Sequence, residues 1–302
     1  MSSHHTRHGY IYALAAFGLW GVIPLFFKAL IPIDSMDIVA HRVLYAVPTL
    51  ALLIFAKKRW GDVKAALGNR KVMLTLFASA VLIAINWVVY VVGVNGGRVL
   101  ATSLGYYLNP LFNILIGHFL LKEHLSRSQW AALAIAGLGV GALALGALGD
   151  LWITLSLAFS FAFYGYLRKQ VNVGAAPGLF IETLLLAPLF LIWLGALRDM
   201  GDPLMGPTPL HTALLLVSGL VTALPLLLFT EGARRLPYST IGILQFIAPT
   251  LQFLMGFLLF GEILTPVRAF AFAAIWIAMA LYIKALVGAE RAKRVSLAKQ
   301  SS

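Results

Sequence analysis

The chain has 302 residues, of which 61% are hydrophobic and only 11% charged, with a mean hydropathy of +0.90. Soluble domains carry roughly 25% charged residues, so the composition places the chain in a lipid bilayer, and the absence of cysteine excludes disulfides and thiol-based metal or redox sites. The net charge of +12 does not indicate nucleic acid, because the basic residues lie between apolar runs and no Arg-rich segment interleaves with aromatics.

The polar segment Met1–Gly9, with His4, His5, Arg7 and His8, reads as a flexible tail. No partner ligands follow it at helical spacing, so it is not a metal site. A helix crossing the hydrocarbon needs about 20 apolar residues. Ten segments qualify: 10–30, 37–56, 72–93, 99–121, 128–147, 151–168, 178–197, 211–230, 238–260 and 264–286. The first lacks a small-residue cleavage site and reads as a retained helix. It carries Trp20 beside Gly21, and the sixth matches it with Tyr164 beside Gly165. The second holds His41 and Arg42 about one turn in, and the seventh holds Glu182 at the corresponding depth. The third carries Asn86, Trp87 and Tyr90. The fourth carries Tyr106, Asn109 and Asn113 at i, i+3, i+7, with Pro110 among them, and the ninth answers with Gln245, Pro249 and Gln252. Gly137 and Gly141 make a GxxxG in the fifth, read as close packing within the chain rather than a dimer seam.

Orientation follows from the cations. With the N-terminus in the cytoplasm, eighteen Lys and Arg fall in inside segments, and only Arg98 and Arg198 fall outside. That asymmetry puts both termini inside and requires an even number of spans. The order is a cytoplasmic tail at 1–9, five helices over 10–147, five more over 151–286, and a cytoplasmic tail at 287–302.

The second half repeats the first. At an offset of 139 positions Gly93 matches Gly232, Pro110 matches Pro249, Gly117 matches Gly256, and Glu123 matches Glu262. One position out of register, Pro48 matches Pro188 and Arg42 falls opposite Glu182. An odd number of spans per half turns the copies over, so the fold class is an all-α integral membrane protein of ten helices in a 5+5 inverted repeat. Secondary transporters are built this way around a central site.

Charges inside a span cost a few kcal/mol and survive where they face protein or water. Arg42 is a candidate for a substrate carboxylate or for ordering an outer gate. The structural alternative pairs it with Asp37 or lets it snorkel. Glu182 is a candidate to carry a proton or bind an amine, against a helix-capping role. His41 reads as an interfacial hydrogen-bonder, and Glu123 and Glu262 as structural helix-end residues. Trp20, Asn86, Tyr90, Tyr106, Asn109, Tyr164 and Gln245, with Arg42, form the candidate substrate-binding set, against a reading in which amides glue helices and aromatics pack. Pro110 and Pro249 are the candidate hinges.

With these residues placed, the chain resembles the drug/metabolite transporter superfamily, and within it the RarD-type permeases of the EamA group. The resemblance covers nearly the whole chain. Its carriers in the first half are Trp20-Gly21, His41-Arg42, the run from Ser103 to Leu111, and the run from Leu121 to Ser126. In the second half they are the run from Tyr164 to Lys169, Glu182-Thr183-Leu184, the run from Thr222 to Leu226, the run from Gln245 to Thr250, and Gly261-Glu262. The resemblance implies a ten-helix bacterial inner-membrane carrier with helices of both halves around a central cavity. It also implies export or exchange of small metabolites or drugs.

The expected mechanism is alternating access, with no cofactor or metal. No GxxxxGK[ST] signature occurs, so energy comes from a gradient of protons or of the substrate itself. The expected partners are a small-molecule substrate, the bilayer and protons, with the protein a monomer or weak homodimer. The alternative is a channel or a non-transporting receptor. An intramembrane enzyme is disfavoured, because His41 and Glu182 have no second carboxylate or metal-ligand spacing beside them.

Overall fold

The computed structural model describes residues 3–122, 124–199, 205–233, 235–236, 240–241 and 244–300. All regular structure among them is helical. The helices are α1 (Ser3–Lys28), α2 (Ser35–Ala56), α3 (Trp60–Leu67), α4 (Arg70–Asn95), α5 (Val99–Leu121) and α6 (Arg127–Gly146). They continue with α7 (Leu148–Gln170), α8 (Ala175–Asp199), α9 (Pro209–Ala233), α10 (Ile247–Leu254) and α11 (Pro266–Gln300). A π-helical turn, Met255–Leu259, extends α10. Nine helices among the described residues are long and apolar enough to cross a membrane, and a shorter apolar helix spans Ile247–Leu259.

Local chemistry sets the helix starts. The Asp34 carboxylate accepts from Met36 N–H at 2.7 Å, and Asn69 accepts from Lys71 and Val72 N–H. Ser126 and Gln129 form a reciprocal capping box. Large apolar side chains such as Leu52, Ile192 and Leu145 stay exposed on the perimeter, where lipid covers them.

Four expectations change. The polar N-terminal segment is helical from Ser3, where α1 begins, and continues into the first span. The ninth span is not one helix over 238–260, because turn residues Gln245 and Phe246 precede α10. Pro249 lacks the N–H that would reach the Gln245 carbonyl, so the helix restarts with the proline in its first turn, where that donor is not needed. Pro110, by contrast, lies inside unbroken α5. Gly137 and Gly141 do not pack inside the chain: a Cβ at either meets nothing within 4 Å, while Gly139 and Gly146 carry the contact with α11. Finally, α3 falls in what reads as a loop. Its Val63 and Ala66 are buried, and Trp60 meets Phe180 edge-on at 5.5 Å. Glu123, Arg234, positions 237–239 and positions 242–243 of the ninth span lie outside the described residues.

The repeat recurs in space. Lys122 and Gly261, equivalent at 139 positions, both have left-handed φ, +57° and +64°. Ser126 accepts from Gln129 N–H, and its equivalent Thr265 accepts from Arg268 N–H, both at 3.3 Å. Ser79 donates to the Leu76 carbonyl, and Ser218 to the Leu215 carbonyl. Tyr107 stacks on its own equivalent, Phe246, at 6.2 Å and 16°. Contact between equivalents puts the relating axis between them. The pairing obeys the same exchange: α1 packs on α9 and α10, α7 packs on α4 and α5, and α2–α8 and α6–α11 pair with their own equivalents. The start of α5 meets Glu262 at the exit of the α10 segment, so these equivalent helices run in opposite directions.

Two of the contacts between the halves lend themselves to test. Both oxygens of Glu262 accept at the start of α5, from Val99 N–H at 2.6 Å and Leu100 N–H at 3.0 Å, and α5 has no side-chain cap of its own. Glu262→Ala should therefore lower stability by about 1–2 kcal/mol, with Glu262→Gln in between, read as the unfolding midpoint of purified protein. Gly219 lets α9 touch the α2 backbone, since a Cβ there would land on the Tyr45 carbonyl and Ala46 nitrogen. Gly219→Val should cost about 3 kcal/mol or more through overpacking against an immovable backbone. Gly195→Ala, in open space, should be neutral or slightly stabilising by the same measurement.

Candidate functional site

Two buried charges lie at matched depths from opposite ends of the bundle. Arg42 is seven residues into α2 and Glu182 seven residues into α8, each about 10 Å from its helix start. The α2 start belongs to the end that carries Glu262, since Lys28 lies over the Phe260 ring. The α8 start belongs to the end that carries Glu231.

Arg42 is 8% exposed. Its guanidinium packs on the Trp87 ring at 4.6 Å and the Phe27 ring at 5.6 Å. Its Nε donates to Thr222 Oγ1 of α9 at 2.7 Å, and the Thr222 hydroxyl passes its own proton to the Ser218 carbonyl at 2.9 Å. Among the described residues no carboxylate lies within 4.0 Å of Arg42, and the bond to Thr222 is the one hydrogen bond of its guanidinium. The alternative of an Arg42–Asp37 pair is not realised; Asp37 accepts from Trp193 Nε1 at 2.8 Å. His41 is buried and bonds the Asp37 carbonyl at 2.7 Å.

Tyrosines and an amide surround the cation. The Tyr90 ring stands 5.5 Å from Tyr106 and 5.9 Å from Phe27, and its buried hydroxyl has no partner. The Tyr106 hydroxyl donates to Asn86 Oδ1 at 3.2 Å, and Asn86 Nδ2 donates to Ser160 Oγ at 3.0 Å and the Leu157 carbonyl at 3.2 Å. The structure thus brings Arg42, Asn86, Tyr90 and Tyr106 together, with Phe27, Trp87 and Thr222.

Glu182 is fully buried. Ser79 Oγ of α4 lies 2.5 Å from Oε1, the Tyr164 hydroxyl donates to Oε2 at 3.2 Å, and Arg168 Nε stands 3.6 Å from Oε1. Arg168 also donates to the Val173 and Gly174 carbonyls. In both clusters an ion on the second spanning helix of one half meets a hydroxyl on the third spanning helix of the other. The clusters are joined through Phe161, which meets Tyr106 edge-on at 6.0 Å and Tyr164 at 6.1 Å with the rings tilted by 40°.

The remaining candidates divide. Tyr164 belongs to the Glu182 cluster rather than to a pocket shared with Asn86 and Tyr90. The Trp20 ring packs on Phe17 and Phe229, while its carbonyl accepts from Gln252 Nε2 at 3.1 Å. Asn109 Oδ1 and Gln252 Oε1 are buried without partners, and Asn113 is exposed. Gln245 sits at the helix break and bonds the Ile241 carbonyl through its backbone. Sequence reasoning missed the site roles of Thr222, Ser79 and Arg168. Two signals were present: Ser79 is the repeat equivalent of Ser218, and Arg168 lies one helical turn after Tyr164.

An all-helical, multi-span bundle with buried charges meeting across two related halves is an architecture that membrane transporters use. Comparison with known proteins agrees. The EamA-like transporter family matches residues 7–145. An uncharacterized transporter of Pseudomonas aeruginosa is 44% identical over 285 residues, covering 93% of this chain and 95% of the relative. Protein RarD of Escherichia coli is 39% identical over 299 residues, covering 96% and 99%. Chloramphenicol-sensitive protein RarD of Pseudomonas aeruginosa is 32% identical over 289 residues, covering 91% and 93%. One solved crystal structure aligns with a TM-score of 0.61 over 93% of this chain and 98% of its own at 16% identity, which speaks to the fold alone. The chain belongs to the EamA-like transporter family, among relatives named RarD. It is therefore a multi-pass protein of the bacterial inner membrane that moves a small molecule.

Proposed function

We propose that the protein is a secondary carrier that exports a small organic carboxylate with an apolar or aromatic body, by alternating access between its two five-helix halves. The observation that carries this reading is Arg42. A buried cation without a protein counter-ion is costly, and it persists where a ligand supplies the missing charge. Its two Nη groups form a fork that matches a carboxylate. Trp87, Phe27, Tyr90 and Tyr106 offer ring surface, and the Tyr90 hydroxyl a spare donor.

Glu182 is the proton site in this reading. Ser79 has one hydroxyl proton and two acceptors in reach, Leu76 O at 2.9 Å and Glu182 Oε1 at 2.5 Å. With the carboxylate ionised, Ser79 donates to it across the halves. With Glu182 protonated, the acid donates to Ser79, whose own proton turns to Leu76. Proton arrival thus exchanges a charge-assisted bond between the halves for a weaker neutral one. Both termini face the cytoplasm, in line with the Lys and Arg asymmetry. Pro110 and Pro249 each remove the donor that would reach an equivalent carbonyl, Tyr106 and Gln245, and let the paired helices bend.

The test is counterflow in proteoliposomes. External labelled aromatic monocarboxylate should accumulate transiently against unlabelled internal compound, with saturation. Flux without saturation or counterflow describes a channel and removes the carrier reading.

A further inference from the structure

A cavity of about 320 Å3 opens at the Glu231 end between α2, α8 and α9, apart from both charged clusters. Its size is at the lower end of the range for small-molecule pockets. Leu53, Ile54 and Leu227 form an apolar wall, the first turn of α8 closes one side, and Lys57, Arg59, Thr230 and Glu231 form the polar part.

The charges in this mouth do not cancel. Arg59 is met by Asp62, through Nε at 2.6 Å and Nη2 at 2.5 Å. Glu231 is held by Arg235 Nη1 at 2.5 Å, while Lys57 Nζ stands off at 3.6 Å, beyond hydrogen-bond distance. Among the described residues Glu231 thus faces two cations, Lys57 and Arg235, an excess of one positive charge. Lys57, with a side chain 45% exposed, is the group able to turn towards an incoming anion.

The cavity also lies on the seam that leads to Arg42. Leu53 is eleven residues beyond Arg42 on α2, and Thr230 eight beyond Thr222 on α9, about 16 and 12 Å along the helices. On α2 the close contact of Tyr45 with Gly219 falls between these two levels.

We propose that this vestibule is a second, peripheral site for the substrate of the Arg42 site. It takes the carboxylate on Lys57 and the apolar body against Leu53, Ile54 and Leu227. The assignment rests on the carrier reading and adds a place where an exported carboxylate is first captured.

The native chain has no cysteine, so a single Ala176→Cys reports from the cavity wall without background, with Thr230→Cys as a second reporter should the first not fold. The probes are anionic sulfonatoethyl and cationic trimethylammonioethyl methanethiosulfonate, each normalised to its rate with a free thiol. One uncompensated charge nearby should favour the anionic reagent by about threefold, and Lys57→Gln should bring the ratio to unity. Benzoate should slow labelling saturably by at least about threefold, and the uncharged benzyl alcohol should not; Lys57→Gln should abolish this protection. Arg42→Gln should abolish counterflow yet leave the protection intact.

Equal reagent rates, or no slowing by benzoate, overturn the proposal. Protection that disappears in Arg42→Gln confines benzoate to the deep site and also overturns it, while the carrier reading stands. Protection without counterflow in any background supports the vestibule site and removes the carrier reading alone. Slowing by phosphatidylglycerol vesicles, relative to phosphatidylcholine, in the absence of benzoate assigns the cavity to a lipid headgroup and overturns the proposal.

Discussion

Arg42→Gln should lower counterflow kcat/KM by roughly 30- to 1,000-fold, the about 2–4 kcal/mol lost when one partner of a buried, hydrogen-bonded charge pair is removed. Arg42→Lys should recover little of this. A lysine restores the charge but not the planar fork, nor the 2.7 Å bond from Nε to Thr222. Thr222→Val, which deletes that bond together with the hydroxyl's own bond to the Ser218 carbonyl, should cost about tenfold. Stability separates this role from a structural one. Without substrate the wild-type guanidinium is a buried charge lacking a protein counter-ion, offset by Thr222 and two ring faces. Removing it should therefore leave the unfolding midpoint unchanged or raised. A midpoint falling in parallel with activity would assign Arg42 to the scaffold.

Glu182→Gln should abolish flux driven by an imposed pH gradient while substrate exchange continues. The amide keeps the shape and offers one acceptor to Ser79 and Tyr164, but it cannot carry a proton through the cycle. Glu182→Leu should behave differently. It strands Arg168, whose side chain is 14% exposed, and should destabilise the protein by about 3–5 kcal/mol. Undiminished proton-driven flux in Glu182→Gln would eliminate Glu182 as the coupling site. The two outcomes are independent, since Arg42 and Glu182 lie at different depths and share no direct contact.

Why some features were legible in the sequence and others were not has a physical basis. Apolar runs of bilayer length are a one-dimensional property, so the long spans and the repeat were readable directly. The pairing of Arg42 and Glu182 as equivalents survived because both lie one to two turns into a helix. The Gln245–Phe246 break was not readable from hydropathy, because the residues around a restarted helix are as apolar as those inside one. Only Pro249 marked it, and Pro110 shows that the same mark is compatible with an unbroken helix. The GxxxG reading failed because spacing says that two glycines share a face, not which neighbour that face meets. Thr222 and Ser79 were missed as site residues because hydroxyls in helices usually bond their own backbone. Both do so here, and their second partners come from helices more than 100 residues away. The bond from Tyr164 to Glu182 was hidden for the same reason: the repeat position of Tyr164 was clear, but its partner is set by three-dimensional packing.

The account depends most on the two halves being inverted copies, and Ser126 and Thr265 offer the direct test. They are repeat equivalents with the same capping bond. Ser126→Cys and Thr265→Cys, made singly in a chain that has no other cysteine, can be labelled with a membrane-impermeant maleimide in intact cells and in inverted vesicles. Thr265→Cys should react in intact cells and Ser126→Cys only in inverted vesicles. Labelling of both from one side would contradict the inverted arrangement and the carrier mechanism built on it.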